Sequence, residues 1–136
     1  SYLDMNWHTL AEPKVEDATA FENASLAKIG LIPEIYSRYR SPYFQHIFGP
    51  GGGYSAGYYS YLWSEVLDSD AFEAFKEKGI FDKATATSFR RNILEKGGTD
   101  EAMSLYKAFR GREPRVEPLL AKRGLLATSA PAAGAR

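Results

Sequence analysis

Glycine stop signals constrain the fold of this chain more than any other feature. Gly30, Gly79, Gly97-Gly98, Gly111 and Gly124 each close a run whose apolar residues recur at three- and four-residue spacing, the period of an amphipathic helix rather than the alternation of a strand. The pattern predicts about six helical segments and no strand, an all-α helical bundle. The first segment spans about Ser1 to Leu10, with Leu3, Trp7 and Leu10 on one face, and ends before Pro13. Asp17 is the expected N-cap of the second, which buries Phe21, Ala24 and Leu26 or Ala27 and stops at Gly30. A third covers YSAGYYSYLWSEVLDSD, residues 54–70, with Tyr59, Leu62, Trp63, Val66 and Leu67 as its apolar stripe.

The remaining punctuation is equally local. Asp70-Ala-Phe-Glu73 matches a capping box opening a helix that ends at Gly79. Asp82 caps a run carrying Ala86, Phe89, Ile93 and Leu94, and Thr99 or Asp100 caps one carrying Met103, Leu105, Tyr106 and Phe109. Glu113-Pro114 is expected to open the last helix, holding Val116, Leu119 and Leu120. Residues 1–126 form the helical segment, and the Ala-, Ser-, Pro- and Gly-rich residues 127–136 read as a disordered tail.

Composition removes several kinds of chemistry. A chain of 136 residues with 44% hydrophobic and 25% charged side chains suffices for one packed unit. Seventeen Lys and Arg balance seventeen Asp and Glu, so no net field favours nucleic acid or an anionic membrane. No apolar run approaches the roughly 20 residues of a spanning helix. Cysteine is absent, which excludes a thiolate nucleophile and suits a reducing compartment, so a cytoplasmic protein is expected. His8 and His46 stand too far apart in sequence to form a close metal-ligating pair. The chain opens on Ser1 with an apolar pattern already running at Tyr2, Leu3 and Met5, as an internal piece of a longer chain would.

Chemistry concentrates between Tyr36 and Tyr61, which hold seven of the nine tyrosines. Tyr36, Tyr39, Tyr43, Phe44, His46 and Phe48 precede the loop Gly49-Pro50-Gly51-Gly52-Gly53, expected to be mobile. After it, Tyr54 and Tyr61 nearly eclipse one another if both are helical, with Tyr58 between them. A phenol, titrating near 10, can donate a hydrogen bond to an oxygen gaining negative charge, and imidazole can do the same or move a proton. Glycine lets a substrate backbone approach closely. The competing reading is plain packing: half-buried tyrosines with wet hydroxyls, a structural histidine and a surface loop. Glu65 and Asp68 at i, i+3 are weak catalytic candidates. Arg90-Arg91, Arg110, Arg112 and Lys122-Arg123 read as charges near helix ends or on solvated faces, while Arg38 and Arg40 flank the aromatic stretch where a carboxylate could meet them.

The blocks HIF, GGGY, AGYYSYLWSEV and FRGREP, with LDMNWH near the start, resemble the C-terminal part of the thimet oligopeptidase family of zinc metallopeptidases, and bacterial peptidyl-dipeptidases within it. The likeness runs from LDMNWH to Leu125. It implies a helical, substrate-binding part of a zincin-type peptidase that releases C-terminal dipeptides from short peptides. It also implies zinc bound by an HExxH helix and a downstream Glu outside this chain, with no metal ligand in this segment. By the resemblance, Tyr61 stabilises the tetrahedral intermediate and His46 is its catalytic companion. Tyr54, Tyr58 and the loop residues Gly51, Gly52 and Gly53 bind substrate. The His46-to-Tyr54 spacing is two residues longer than the family's, so Gly49-Pro50 reads as a small insertion.

The expected partners are therefore short peptides and the remainder of the peptidase chain, with no nucleic acid and no membrane. Alone, the segment is expected to be inactive and to self-associate through uncovered apolar faces. The alternative is a stand-alone aromatic-rich helical module binding a peptide, a glycan or single-stranded nucleic acid through the tyrosines, Arg38 and Arg40.

Overall fold

The computed structural model describes residues 1–12, 14–15 and 17–126, so the tail expected over 127–136 lies outside the described residues. Among the described residues every regular element is helical: α1 (Tyr2–His8), α2 (Ala18–Lys28), α3 (Gln45–Phe48), α4 (Tyr59–Lys78), α5 (Lys83–Phe89), α6 (Ala102–Arg110) and α7 (Glu117–Lys122). A π-helical turn, Arg90–Leu94, continues α5. Length alone suggests one packed unit. The chain instead divides into two compact units, Ser1–Leu62 and Trp63–Arg136.

The first unit contains α1, α2, α3 and the opening turn of α4. Asp17 caps α2 as expected, its carboxylate accepting from the Thr19 and Ala20 amides at 2.8 and 3.0 Å. Trp7 of α1 lies 4.2 Å from the Phe21 ring of α2, and Leu3 and Ile47 are buried. The buried positions of α2 are Glu22 and Ser25, whereas Ala24 is exposed, which corrects the face expected for this helix. A charge draws that face inward: Glu22 accepts from Arg40 Nε at 2.8 Å, the Ser41 amide at 2.8 Å and Ser41 Oγ at 3.0 Å. The Trp7 indole donates to the same Ser41 hydroxyl at 2.9 Å.

In the second unit the expected capping box at Asp70 does not form. α4 runs unbroken through Asp70 to Lys78. The Asp70 side chain is fully buried and serves other partners. Arg112 grips both its oxygens, at 2.7 and 2.9 Å, and the Tyr106 hydroxyl donates to it at 2.5 Å. These charge-assisted bonds outcompete backbone capping for the carboxylate. Arg110, expected near a helix end or on a solvated face, does lie in the last turn of α6, but its side chain is mostly buried, donating to the Asp70 carbonyl and pairing with Glu77 at 2.6 Å. Val66, Ala71, Ala74, Leu105, Tyr106 and Leu119 are buried, and Phe89 and Phe109 meet at 5.1 Å with Phe75 beside them. Tyr59, Leu62 and Trp63 of the expected α4 stripe remain exposed.

Other boundaries hold or shift by a few residues. Asp82 caps α5 through the Thr85 amide at 2.7 Å. The cap of α6 is Glu101, which reaches the Met103 and Ser104 amides, and not Thr99 or Asp100. The last helix opens at Glu117 with Pro118 in its first turn, so Pro118 rather than Pro114 starts it. Gly111 closes α6 at φ 78, the left-handed value that favours glycine.

Candidate functional site

The aromatic stretch and the tyrosine segment both lie in the first unit, on either side of the glycine loop. Each is tied down by a buried carboxylate. The Glu22 bonds to Arg40 and Ser41 hold the chain just ahead of Tyr43 and Phe44. On the other side Asp4 of α1, 1% exposed, accepts from the Ala56 amide at 2.8 Å and the Tyr58 amide at 3.0 Å. The loop ends are joined directly by Ser55 Oγ, which donates to the Ile47 carbonyl at 2.9 Å. Gly49 is required where α3 ends, because a Cβ there would meet the Gln45 carbonyl oxygen at 2.5 Å. Gly51 and Gly52 carry φ values of 92 and 56.

These anchors bring the candidate residues together. Phe44 stacks on His46 at 5.6 Å, and His46 stacks on Tyr54 at 5.3 Å with 16° between planes. Tyr58 stands edge-on to Phe44 at 5.4 Å and lies 5.4 Å from Tyr61. Tyr39 completes the patch, stacked on Phe44 at 4.3 Å and edge-on to Tyr58 at 6.0 Å. The patch is a surface rather than a core: His46 is exposed, and Tyr54 and Tyr61 are 61% and 71% exposed. Tyr58 is half-buried. Its partial removal from water pushes its phenol above the ordinary value near 10, with Tyr61, Tyr39, Tyr54 and Asp4 adding to the rise. Tyr58 therefore holds its proton, as a hydrogen-bond donor must.

The route to this cluster differs from the one expected. Tyr54 is not helical; residues 53–56 form turns and α4 begins only at Tyr59. Gly57 and the positive φ of Ala56, 56°, break the helical path that periodicity assumed. Tyr54 reaches the others through the turn and through His46, not by eclipsing Tyr61 along a helix. Across the glycine loop, His46 is in stacking contact with Tyr54.

Other charged candidates are occupied. Glu65 pairs with Arg123, and Asp68 lies 3.8 Å from Lys122. Arg40 belongs to Glu22, whereas Arg38 is exposed, makes no ion pair among the described residues, and sits 5.8 Å over the Tyr39 ring. Residue-by-residue reading missed Asp4 as an anchor, and the only available signal was a lone acid in the apolar run of α1. Among the described residues no three His, Cys, Asp or Glu side chains converge where they could hold a metal ion.

Comparison with known proteins gives this surface its context. The model of peptidase family M3 matches residues 1–125. The chain belongs to peptidase family M3. It is 46% identical over 125 residues to dipeptidyl carboxypeptidase of Salmonella typhimurium, covering 90% of this chain and 18% of that relative. With dipeptidyl carboxypeptidase of Escherichia coli the identity is 42%, at the same coverage of each chain. Oligopeptidase A of Escherichia coli is 55% identical over 82 residues, which are 60% of this chain and 12% of the relative. The M3 sequence in hand thus spans less than a fifth of the length of the curated relatives it matches. No helix among the described residues is long and apolar enough to cross a membrane.

Proposed function

We propose that this M3 segment supplies the substrate-facing wall of a zinc-dependent peptidyl-dipeptidase, with short peptides as substrates. The described residues do not fit a zinc ion, so the metal is assigned to ligands elsewhere in the peptidase and no step is routed through it. When bound there, zinc supplies Lewis-acid polarisation of the scissile carbonyl. This chain's own residues hold the peptide and meet the charge that develops on it. Attack on a peptide carbonyl turns a neutral oxygen into an oxyanion, and preorganised donors stabilise that oxygen more than the starting carbonyl. Tyr61 is the donor in this reading, beside Tyr58. His46 donates from its place between Phe44 and Tyr54. Tyr54 and the backbone of Gly51, Gly52 and Gly53 grip the substrate main chain.

Arg38 is assigned to the substrate's C-terminal carboxylate, since Arg40 is already committed to Glu22. A planar guanidinium suits a carboxylate, and its position over Tyr39 puts it at one end of the tyrosine patch. The observation that carries the proposal is the exposed array of His46, Tyr54, Tyr58 and Tyr61 on a family M3 chain. A cytoplasmic location belongs to the same reading.

In the full-length enzyme, Tyr61→Phe is expected to lower kcat by about 100-fold with little change in KM, as for loss of one oxyanion donor. Steady-state kinetics that return an unchanged kcat would remove Tyr61 from this role. Peptides with a free C-terminus are expected to be cleaved far better than their C-terminal amides. Equal cleavage would mean that the free C-terminal carboxylate is not recognised and would overturn the peptidyl-dipeptidase reading.

A further inference from the structure

Tyr58 is held at both ends of its backbone by α1 and the Ser1 that precedes it. Its amide donates to Asp4 Oδ2 at 3.0 Å, and its carbonyl accepts from Ser1 Oγ at 3.1 Å. The other Asp4 oxygen takes the Ala56 amide at 2.8 Å and lies 2.9 Å from His8 Nδ1. That nitrogen is also 2.8 Å from the Asp4 carbonyl oxygen. Facing two acceptors, it must carry a hydrogen and donate. Among the described residues, every polar contact of this buried carboxylate is thus either its neighbour His8 on α1 or the backbone of the turn, Ala56 to Tyr58, that leads into α4 and Tyr61.

The turn needs such a hold. Ala56 is the non-glycine residue with positive φ among the described residues, a conformation that costs about 1 to 2 kcal/mol for an L side chain. Strain of this kind persists where surrounding contacts over-determine it. The Asp4 bond to the Ala56 amide is one such contact, and the Ser55 bond to Ile47 is another. Asp17 caps its own helix two and three residues away. Asp4 instead reaches 52 and 54 residues along the chain to close the turn leading into α4.

We propose that Asp4 is the positioning residue of the tyrosine wall, setting the direction of Tyr58 and Tyr61 through the amides of Ala56 and Tyr58. The inference rests on the proposed role of those tyrosines. Tyr54 and Tyr61 are largely exposed, and their ring contacts are with His46 and Tyr58 of the same patch, so no core packing fixes them independently of the turn. A 1 Å displacement of a group that meets the reacting atoms can cost about 100-fold in rate. Asp4 makes no contact with the substrate in this scheme; it acts only through the turn.

The test is a double-mutant cycle in the full-length peptidase. Asp4→Asn keeps the size of the side chain but turns an NH2 group toward an amide donor. It is expected to lower kcat by about 10- to 100-fold with KM changed by less than about 3-fold. In a Tyr58→Phe, Tyr61→Phe background the same substitution is expected to lower kcat by less than about 2-fold, because the groups it positions are gone. Rates are normalised to the folded fraction from circular dichroism, and Asp4→Ser, which retains one acceptor, is measured alongside. Asp17→Ala, a cap remote from the rings, is the stability control and should leave kcat unchanged. Equal losses from Asp4→Asn in both backgrounds, or a kcat unaffected by both Asp4 variants, overturns the positioning role while leaving the tyrosines in place. If Tyr61→Phe and Tyr58→Phe themselves leave kcat intact, the reading of the wall fails first, and Asp4 with it.

Discussion

Both units bury carboxylates, yet they use them differently. In Ser1–Leu62, Asp4 accepts from the Ala56 and Tyr58 amides, and Glu22 from the Ser41 amide together with the Arg40 and Ser41 side chains, all in segments outside the regular helices. In Trp63–Arg136, Asp70 accepts from the side chains of Tyr106 and Arg112. Buried charge in the second unit joins packed elements, so its loss is a loss of stability. In the first it shapes loops that reach the surface, so its loss also changes what that surface presents. A buried carboxylate's partners, more than its burial, decide which of these it does.

The largest expected effect tests the second unit. Asp70→Ala removes the bidentate partner of the half-buried Arg112 and leaves the buried Tyr106 hydroxyl without its acceptor, and should cost about 3 kcal/mol in chemical denaturation. Burial alone would raise the Asp70 pKa, but the Arg112 and Tyr106 hydrogen bonds outweigh it and hold the carboxyl below its ordinary value. A depressed folded pKa contributes stability that is present above the unfolded value, near 4, and is lost as pH falls through the folded value. Acid titration of unfolding should therefore show a limb below about pH 4 that weakens in Asp70→Asn. A flat profile there would break the comparison. Tyr106 titrates in the opposite sense, its phenol pushed far up by burial and by Asp70.

Glu22→Gln should have a smaller effect, about 2 kcal/mol, because an amide still accepts from Ser41 while the charge facing Arg40 is gone. It should also loosen the segment around Tyr43 and Phe44, measurable as faster amide hydrogen exchange at residues 40–44. Stability loss without faster exchange would put Glu22 in the same class as Asp70. The smallest effect belongs to Asp17→Ala, about 1 kcal/mol, with no change in exchange at the aromatic segment.

Local chemistry was readable in proportion to how local it is. Asp17, Asp82 and the Gly111 terminator needed only neighbours a few residues away, and the chain carries those neighbours in plain order. Asp70 followed by Glu73 obeys the same local rule and breaks it, because Arg112 lies 42 residues on and offers a charged bidentate partner. The tyrosines illustrate a subtler case. Their grouping was legible, but the helical phase used to reach it was not the cause. Ala56 turns the chain, and Asp4 holds that turn from another element. Nothing in the spacing of Tyr54, Tyr58 and Tyr61 announces an acid fifty residues upstream. The fully apolar face expected for α2 failed for the same reason, since Glu22 is drawn inward by Arg40 and Ser41.

The glycine loop between Gly49 and Gly53 starts and ends at clamped points. Gly49 packs its backbone on Gln45, and Ser55, Ala56 and Tyr58 are tied to Ile47 and Asp4. Between those points residues can be added without moving either bank, and doubling such a segment costs only about 0.6 kcal/mol in closure entropy. Loop length is in that sense an adjustable dial: on the proposed reading, the reach of the span over a bound peptide can be reset by insertion or deletion while the phenols opposite stay where they are.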